Sequence, residues 1–183
     1  MSDKPAAVQV AKEHESDEAQ GRARVVKRYG VRARLVPVPE GVLEDVEQRI
    51  PDPPVPTIVL EEEGREIENP DDPNYHKALE EAQRQRGVAI VEALCLFGVE
   101  LLDGLPENDR WQKQLKYYAK RGHIDLDWVD WEDDMEVEFV FVRYVFLTVE
   151  MMHFLSQLAR LTPEELARAE ASFQGDAARD TDK

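Results

Sequence analysis

The clearest structural signal in the sequence is the stretch from Asn69 to Gly98, which predicts one long helix. Asp71 or Asp72 can accept hydrogen bonds from the first backbone N–H groups, and Pro73 suits the first helical position. Apolar side chains then recur at roughly helical spacing, at Tyr75, Leu79, Ala82, Ile90, Leu94 and Phe97. A helix of this length favours a mainly α fold. Its polar middle, residues 80–87, is expected to face solvent or a partner.

Shorter helical patterns occupy residues 40–50, 107–120, 135–147, 149–161 and 162–173. The last of them opens with a capping box, because Thr162 precedes Pro163 and Glu165 follows three residues after the cap. Residues 135–147 are ambiguous, since apolar and acidic residues alternate at their start, as in a strand. The acids just before them are typical of a helix N-terminus, where they oppose the positive end of the helix dipole. We favour the helix.

The chain before the long helix is expected to be extended in part. Residues 31–39 form a short extended segment that prolines end. The stretch PDPPVP, residues 51–56, is a polyproline-type connector, because its prolines fix φ and lack an N–H donor. Residues 57–70 are compatible with a small hairpin turning at Glu63-Gly64, which needs something to pack on.

These elements predict a mainly α fold. We expect one small helical domain over residues 21–173, with a short β-hairpin or extended N-terminal segment. Residues 1–20 are acidic and poor in large apolar groups, so they are expected to form a disordered tail. Residues 174–183 are small and polar and are expected to form a second tail.

The charge of the chain is strongly negative. Its 183 residues include 23 Lys and Arg and 39 Asp and Glu, a net charge of −16, which disfavours nucleic-acid and membrane partners. Residues 21–34 nevertheless hold six bases and no acid. That stretch could touch nucleic acid weakly, or pair with the acidic blocks at residues 35–75 and 124–138 of its own chain or of a neighbour. We favour the ion pairs, because the surrounding field is negative.

The sequence offers little for catalysis or metal binding. Asp125, Asp127 and Glu136 match three positions of a calcium-binding EF-hand loop, but Asp130 stands where that loop needs glycine. No two of the four histidines have the spacing of a helical zinc site. Cys95 lies in an apolar run and is expected to be a core residue. We therefore predict no catalytic residue, no metal site and no cofactor.

Aromatic residues favour protein binding instead. Trp128 and Trp131 lie three residues apart in an acidic connector, and aromatic side chains dominate interface hot spots. The alternative is a solvated acidic loop whose tryptophans pack inward. Tyr75 and Trp111 complete the predicted set of partner-binding residues.

Part of the sequence resembles a group of tailed-bacteriophage proteins, the tail assembly chaperone-like proteins. The similarity spans residues 30–173 and is best defined at residues 64–101. It is carried by a proline-rich lead, then Gly64-Arg65-Glu66, then Asn69-Pro70-Asp71-Asp72-Pro73 and Tyr75 opening the long helix, then Phe97-Gly98-Val99-Glu100-Leu101, Asp127-Trp128-Val129-Asp130-Trp131 and a Thr-Pro-Glu-Glu helix start.

This resemblance implies a non-enzymatic role in phage tail morphogenesis. Tail assembly chaperones bind the tape measure protein, keep it soluble and help recruit tail tube subunits. The implied partners are therefore the tape measure and tail tube proteins, in the host cytoplasm, and the protein is expected to be absent from the mature virion. A structural or adaptor component of the particle is the alternative, and a small metal-binding or enzymatic domain is a third. Self-association is left open.

Overall fold

The computed structural model describes residues 23–60 and 65–178. Within these ranges the protein is mainly α with two small antiparallel sheets, so the predicted fold class is confirmed. The strands are β1 (Arg24–Arg28), β2 (Val31–Leu35), β3 (Thr57–Leu60), β4 (Arg65–Glu68) and β5 (Val99–Leu101). The helices are α1 (Glu40–Arg49), α2 (Pro73–Phe97), α3 (Arg110–Lys120), α4 (Asp134–Phe141), α5 (Val149–Leu158) and α6 (Pro163–Ala178), and a π-helical turn at Val142–Phe146 extends α4.

The larger sheet has the order β1-β2-β5, with β2 in the centre. Val31, Ala33 and Leu35 alternate with Arg32 and Arg34, which places the apolar side chains of β2 on the buried face. The basic stretch therefore contains a hairpin that the sequence analysis did not predict. Its two-residue turn needs positive φ at both positions, and Tyr29 and Gly30 have φ of 52° and 83°.

The second sheet is the predicted hairpin. Residues of β3 and β4 pair in antiparallel register from Thr57 with Glu68 to Leu60 with Arg65. The predicted turn at Glu63-Gly64 lies outside the described residues. None of the described hairpin residues belongs to the main hydrophobic core. The proline-rich connector before it is tied to α2 by an ion pair between Asp52 and Arg86.

The helix boundaries follow the capping rules. Asp72 accepts hydrogen bonds from the N–H groups of Asn74 (2.7 Å) and Tyr75 (3.2 Å), and Pro73 begins α2. The capping box of α6 forms as predicted, because the Thr162 N–H donates to Glu165 Oε2 (2.6 Å) and the Glu165 N–H donates to Thr162 Oγ1 (3.3 Å).

The ambiguous segment is a helix, as favoured. Asp133 accepts hydrogen bonds from the N–H groups of Met135 and Glu136 and so caps α4. The helix then widens into the π turn, which ends when the Leu147 N–H donates to the Val142 carbonyl (2.8 Å).

The core forms where the second half of α2, α4 with its π turn, and α5 meet β2. Its largest fully buried side chains include Phe141, Phe146, Leu35, Leu94, Met152 and Leu155. Most of the polar middle of α2 is exposed or half-buried, as predicted, but its last residue is not. Gly87 is buried where α6 crosses α2, and a Cβ there would lie 2.7 Å from the Arg168 carbonyl oxygen.

Three further expectations have a structural outcome. The helix predicted at residues 107–120 begins three residues later than predicted, at Arg110. The long helix ends at Phe97 with Gly98 as its C-cap, as predicted, and Val99–Leu101 forms strand β5, which was not predicted. Helix α6 continues to Ala178, so it enters the stretch predicted as a C-terminal tail, while residues 1–20 lie outside the described part of the chain.

No single helix in residues 23–60 and 65–178 is long and apolar enough to cross a membrane. Asp134–Phe146 and Val149–Leu158 are long and apolar enough for a membrane span only when they are counted together, and the two segments are bent by 115° relative to each other.

The basic stretch pairs with acids of its own chain, but the acids in its described ion pairs lie outside the two acidic blocks that were predicted as its partners. Its ion pairs are Arg24 with Glu150, Arg32 with Asp103 and Arg34 with Glu100. The sheet brings β2 next to β5, which places Arg32 and Arg34 beside Asp103 and Glu100, whereas Glu150 lies on α5. The Arg32 guanidinium hydrogen-bonds Asp103 and lowers the pKa of that carboxyl to about 2. Arg28 donates to the carbonyls of Phe146 (2.7 Å) and Leu147 (3.3 Å), which joins β1 to the end of the π turn.

Candidate partner-binding cleft

Helix α3 forms one wall of a large open cleft. The helix ends where Gly122 adopts φ of 79°, a conformation that favours glycine. Trp111 on its inner side is buried, whereas Tyr117 and Tyr118 on its outer side are 61% and 55% exposed. The same short helix therefore contributes to the core and presents two neighbouring phenol rings to solvent.

The cleft has a volume of about 1200 Å³ and is lined mainly by aromatic and apolar side chains. Trp111 and Phe141 form its buried floor, with ring centroids 5.0 Å apart in an edge-to-face arrangement. The exposed Tyr29, at the turn between β1 and β2, borders the cleft together with Tyr117 and Tyr118. Phe173 of α6 and Tyr144 of the π turn complete the aromatic lining.

The charged side chains that line the cleft are all positive. Arg110, Lys113 and Arg143 line it, and none of its described lining residues is an aspartate or a glutamate. Arg143 is 9% exposed and its guanidinium lies 5.4 Å from the centroid of the Tyr144 ring. Lys113 donates to Asp109, which lies outside the lining, at 2.9 Å.

A smaller depression of about 470 Å³ adjoins the cleft and shares part of its lining, including His123 and Arg143. Trp128 lines this depression and is 49% exposed. Its ring centroid lies 5.9 Å from that of Phe139 in an edge-to-face arrangement, and its Nε1 donates to the Asp125 carbonyl (3.2 Å). Trp128 therefore lies beside the cleft, and its predicted role in docking stays a prediction.

The other predicted partner-binding residues have different surroundings. Trp111 is only 7% exposed and packs against Phe141, so it belongs to the core and borders the cleft only from its buried floor. Trp131 is half-buried under Lys116 of α3, whose Nζ lies 4.0 Å from the ring centroid. Tyr75 is half-buried at the start of α2, and it lines neither the cleft nor the depression beside it.

The residues considered for calcium serve the local backbone. Asp125 accepts a hydrogen bond from the Asp127 N–H (3.0 Å), and Glu136 accepts one from the Asp130 N–H (2.7 Å). In the described ranges no group of three or more His, Cys, Asp or Glu residues is arranged to hold a metal ion. Cys95 is a core residue, as predicted, and its burial raises the pKa of the thiol to about 12.

The sequence analysis missed Tyr29, Tyr117 and the cationic residues around them. One signal was present in the sequence: residues 110–121 hold five bases and no acid, and a Tyr-Tyr pair lies among them. Comparisons of the chain with protein-family models, curated proteins and solved structures find no match.

Proposed function

We propose that this protein is a tail assembly chaperone of a tailed bacteriophage, which holds a segment of the tape measure protein in its aromatic cleft and helps recruit tail tube subunits. The observation that carries the proposal is the cleft itself, where exposed tyrosines border a floor formed by Trp111 and Phe141. Surfaces of this composition are typical of protein interfaces, because rigid aromatic rings bury large apolar areas at low entropic cost.

The phage assignment is supported by the sequence resemblance. Its best-defined motif, Asn69 to Tyr75, forms the capped start of α2. The large negative charge of the chain suits a chaperone for a long, self-associating client, since charge adds solubility to the complex. The proposed place of action is the host cytoplasm.

The first test is capture of the tape measure protein encoded with this chain, after co-expression of the two proteins. Replacing both rim tyrosines, Tyr117→Ser with Tyr118→Ser, is expected to reduce capture at least about tenfold, because truncated aromatic hot spots cost about 2 kcal/mol or more. Trp128→Ala is expected to weaken capture as well, if less strongly.

The matched control is Ile58→Ser with Val59→Ser on strand β3, where the side chains are 44% and 60% exposed but lie outside the cleft. This control is expected to leave capture unchanged. Equal capture by the tyrosine variant and the wild type, with both folded by circular dichroism, would rule out the cleft as the client site.

A second test separates the chaperone from a permanent adaptor of the particle. Mass spectrometry of purified virions is expected to detect the tube and tape measure proteins but not this chain. Its presence in a fixed copy number per tail would favour the adaptor instead.

A further inference from the structure

The charge of the cleft is opposite to that of the chain. The chain has a net charge of −16, yet Arg110, Lys113 and Arg143 line the cleft and its described lining contains no carboxylate. The helix that forms the wall, with the residue that follows it, has five bases over residues 110–121, of which Arg110 and Lys113 line the cleft. A concave site lined by charges of one sign raises the local concentration of ligands of the other sign.

We infer that the cleft recognises an acidic amphipathic segment of its protein partner, in which carboxylates flank aromatic or long aliphatic side chains. This inference rests on the proposed function and specifies the chemistry of the client segment. The apolar side chains of the segment pack between Tyr117, Tyr118 and the floor. Its carboxylates meet Arg110 at the edge, next to Lys113, which also pairs with Asp109. Such a division between an apolar centre and a charged rim is usual in protein interfaces.

A polypeptide fits these charges better than a nucleic acid does. The neighbouring depression is lined by Glu92, Asp125 and Asp127, so the positive region ends at the edge of the cleft. A nucleic acid carries a phosphate at every nucleotide and would bring charges against these acids. A peptide can confine its carboxylates to the positions that face the cations.

The test measures the affinity of the full-length protein for fluorescein-labelled peptides by fluorescence anisotropy. The acidic probe is a designed peptide of about 15 residues. It carries Leu and Phe at helical spacing, so that they share one helix face, and Glu at the flanking positions. Its matched partners carry Lys or Gln at every Glu position. A single-stranded oligonucleotide of similar length is the competing probe.

We expect the acidic peptide to bind at least about tenfold more tightly than the Lys peptide, and to lose affinity as salt rises. Arg110→Glu is expected to weaken the acidic peptide about tenfold, because it replaces an attraction by a repulsion. The substitution places an acid in the first turn of α3, which the helix dipole favours, so the fold is retained. The control Lys77→Glu makes the same charge change on the exposed face of α2, outside the cleft, and is expected to have little effect.

Three results would overturn the inference. They are equal affinity for the acidic and Lys peptides, tighter binding of the oligonucleotide with loss in Arg110→Glu, and a wild-type dimer in sedimentation that Arg110→Glu dissociates. The inference and the proposed function can fail separately. If the tyrosine variant abolishes tape measure capture while Arg110→Glu changes nothing, the cleft is the client site but its charge preference is wrong. Charge-dependent peptide binding without tape measure capture would instead support the charge preference and contradict the proposed function.

Discussion

Replacing Gly87 by alanine is expected to lower the free energy of unfolding by about 2–3 kcal/mol, the cost of forcing a methyl group into a closely packed contact. The new Cβ would lie 2.7 Å from the carbonyl oxygen of Arg168, a backbone atom that cannot move without shifting α6. Helix propensity alone predicts the opposite sign, since alanine is favoured over glycine by about 1 kcal/mol inside a helix. The sign of the change therefore reports whether the two helices cross as closely as described.

Gly41→Ala is the matched control for this prediction. Gly41 lies in α1, and apart from its chain neighbours and the backbone of its own helix no atom lies within 4 Å of an added Cβ, so only the propensity term applies. We expect this variant to be more stable than the wild type by about 0.5–1 kcal/mol. Urea denaturation followed by circular dichroism measures both changes, and a Gly87→Ala protein as stable as Gly41→Ala would contradict the close crossing.

Phe146→Ala is expected to cost about 3–5 kcal/mol, the range observed when a large aromatic side chain is removed from a packed core. Phe146 is fully buried and its ring centroid lies 6.0 Å from that of Phe141, whose ring forms the cleft floor. Because domains of this kind are stable by only about 5–15 kcal/mol, the variant should unfold at much lower urea concentration.

Phe97→Ala supplies the comparison, since that side chain is 46% exposed at the end of α2. We expect it to cost about 1 kcal/mol, because less apolar area leaves water on folding and no closed cavity forms. If the two phenylalanine variants had similar midpoints, the π turn would not be the packed centre of the protein.

Local rules predicted the helices well because the controlling contacts are only a few residues apart. Asp72 and Pro73 at the start of α2, and Thr162 with Glu165 at the start of α6, satisfy backbone groups within one turn. Each of these helix starts can therefore be predicted from a short window of sequence, independently of the rest of the chain.

Contacts between distant segments were not accessible in this way. Strand β5 has only three residues, and it is a strand because β2, more than sixty residues earlier, pairs with it from Ala33 to Leu35. The burial of Gly87 likewise depends on α6, and a window around it shows only a polar helix with a weak helix former in it.

The candidate site likewise has features that could be predicted from the sequence and features that depend on tertiary packing. That Trp128 stands in an acidic, aromatic connector is apparent from the sequence, and its exposure agrees with a docking role. That Trp111 is buried follows from its contact with Phe141 of α4, and that Tyr29 and Tyr117 border one cleft follows from the placement of α3 across the cleft from the first hairpin. The order of residues specifies which segments become helices and how they begin and end. Which aromatic rings are buried, and which face solvent together, depends on the packing of segments far apart in the chain, because burial is a property of the whole assembly of helices.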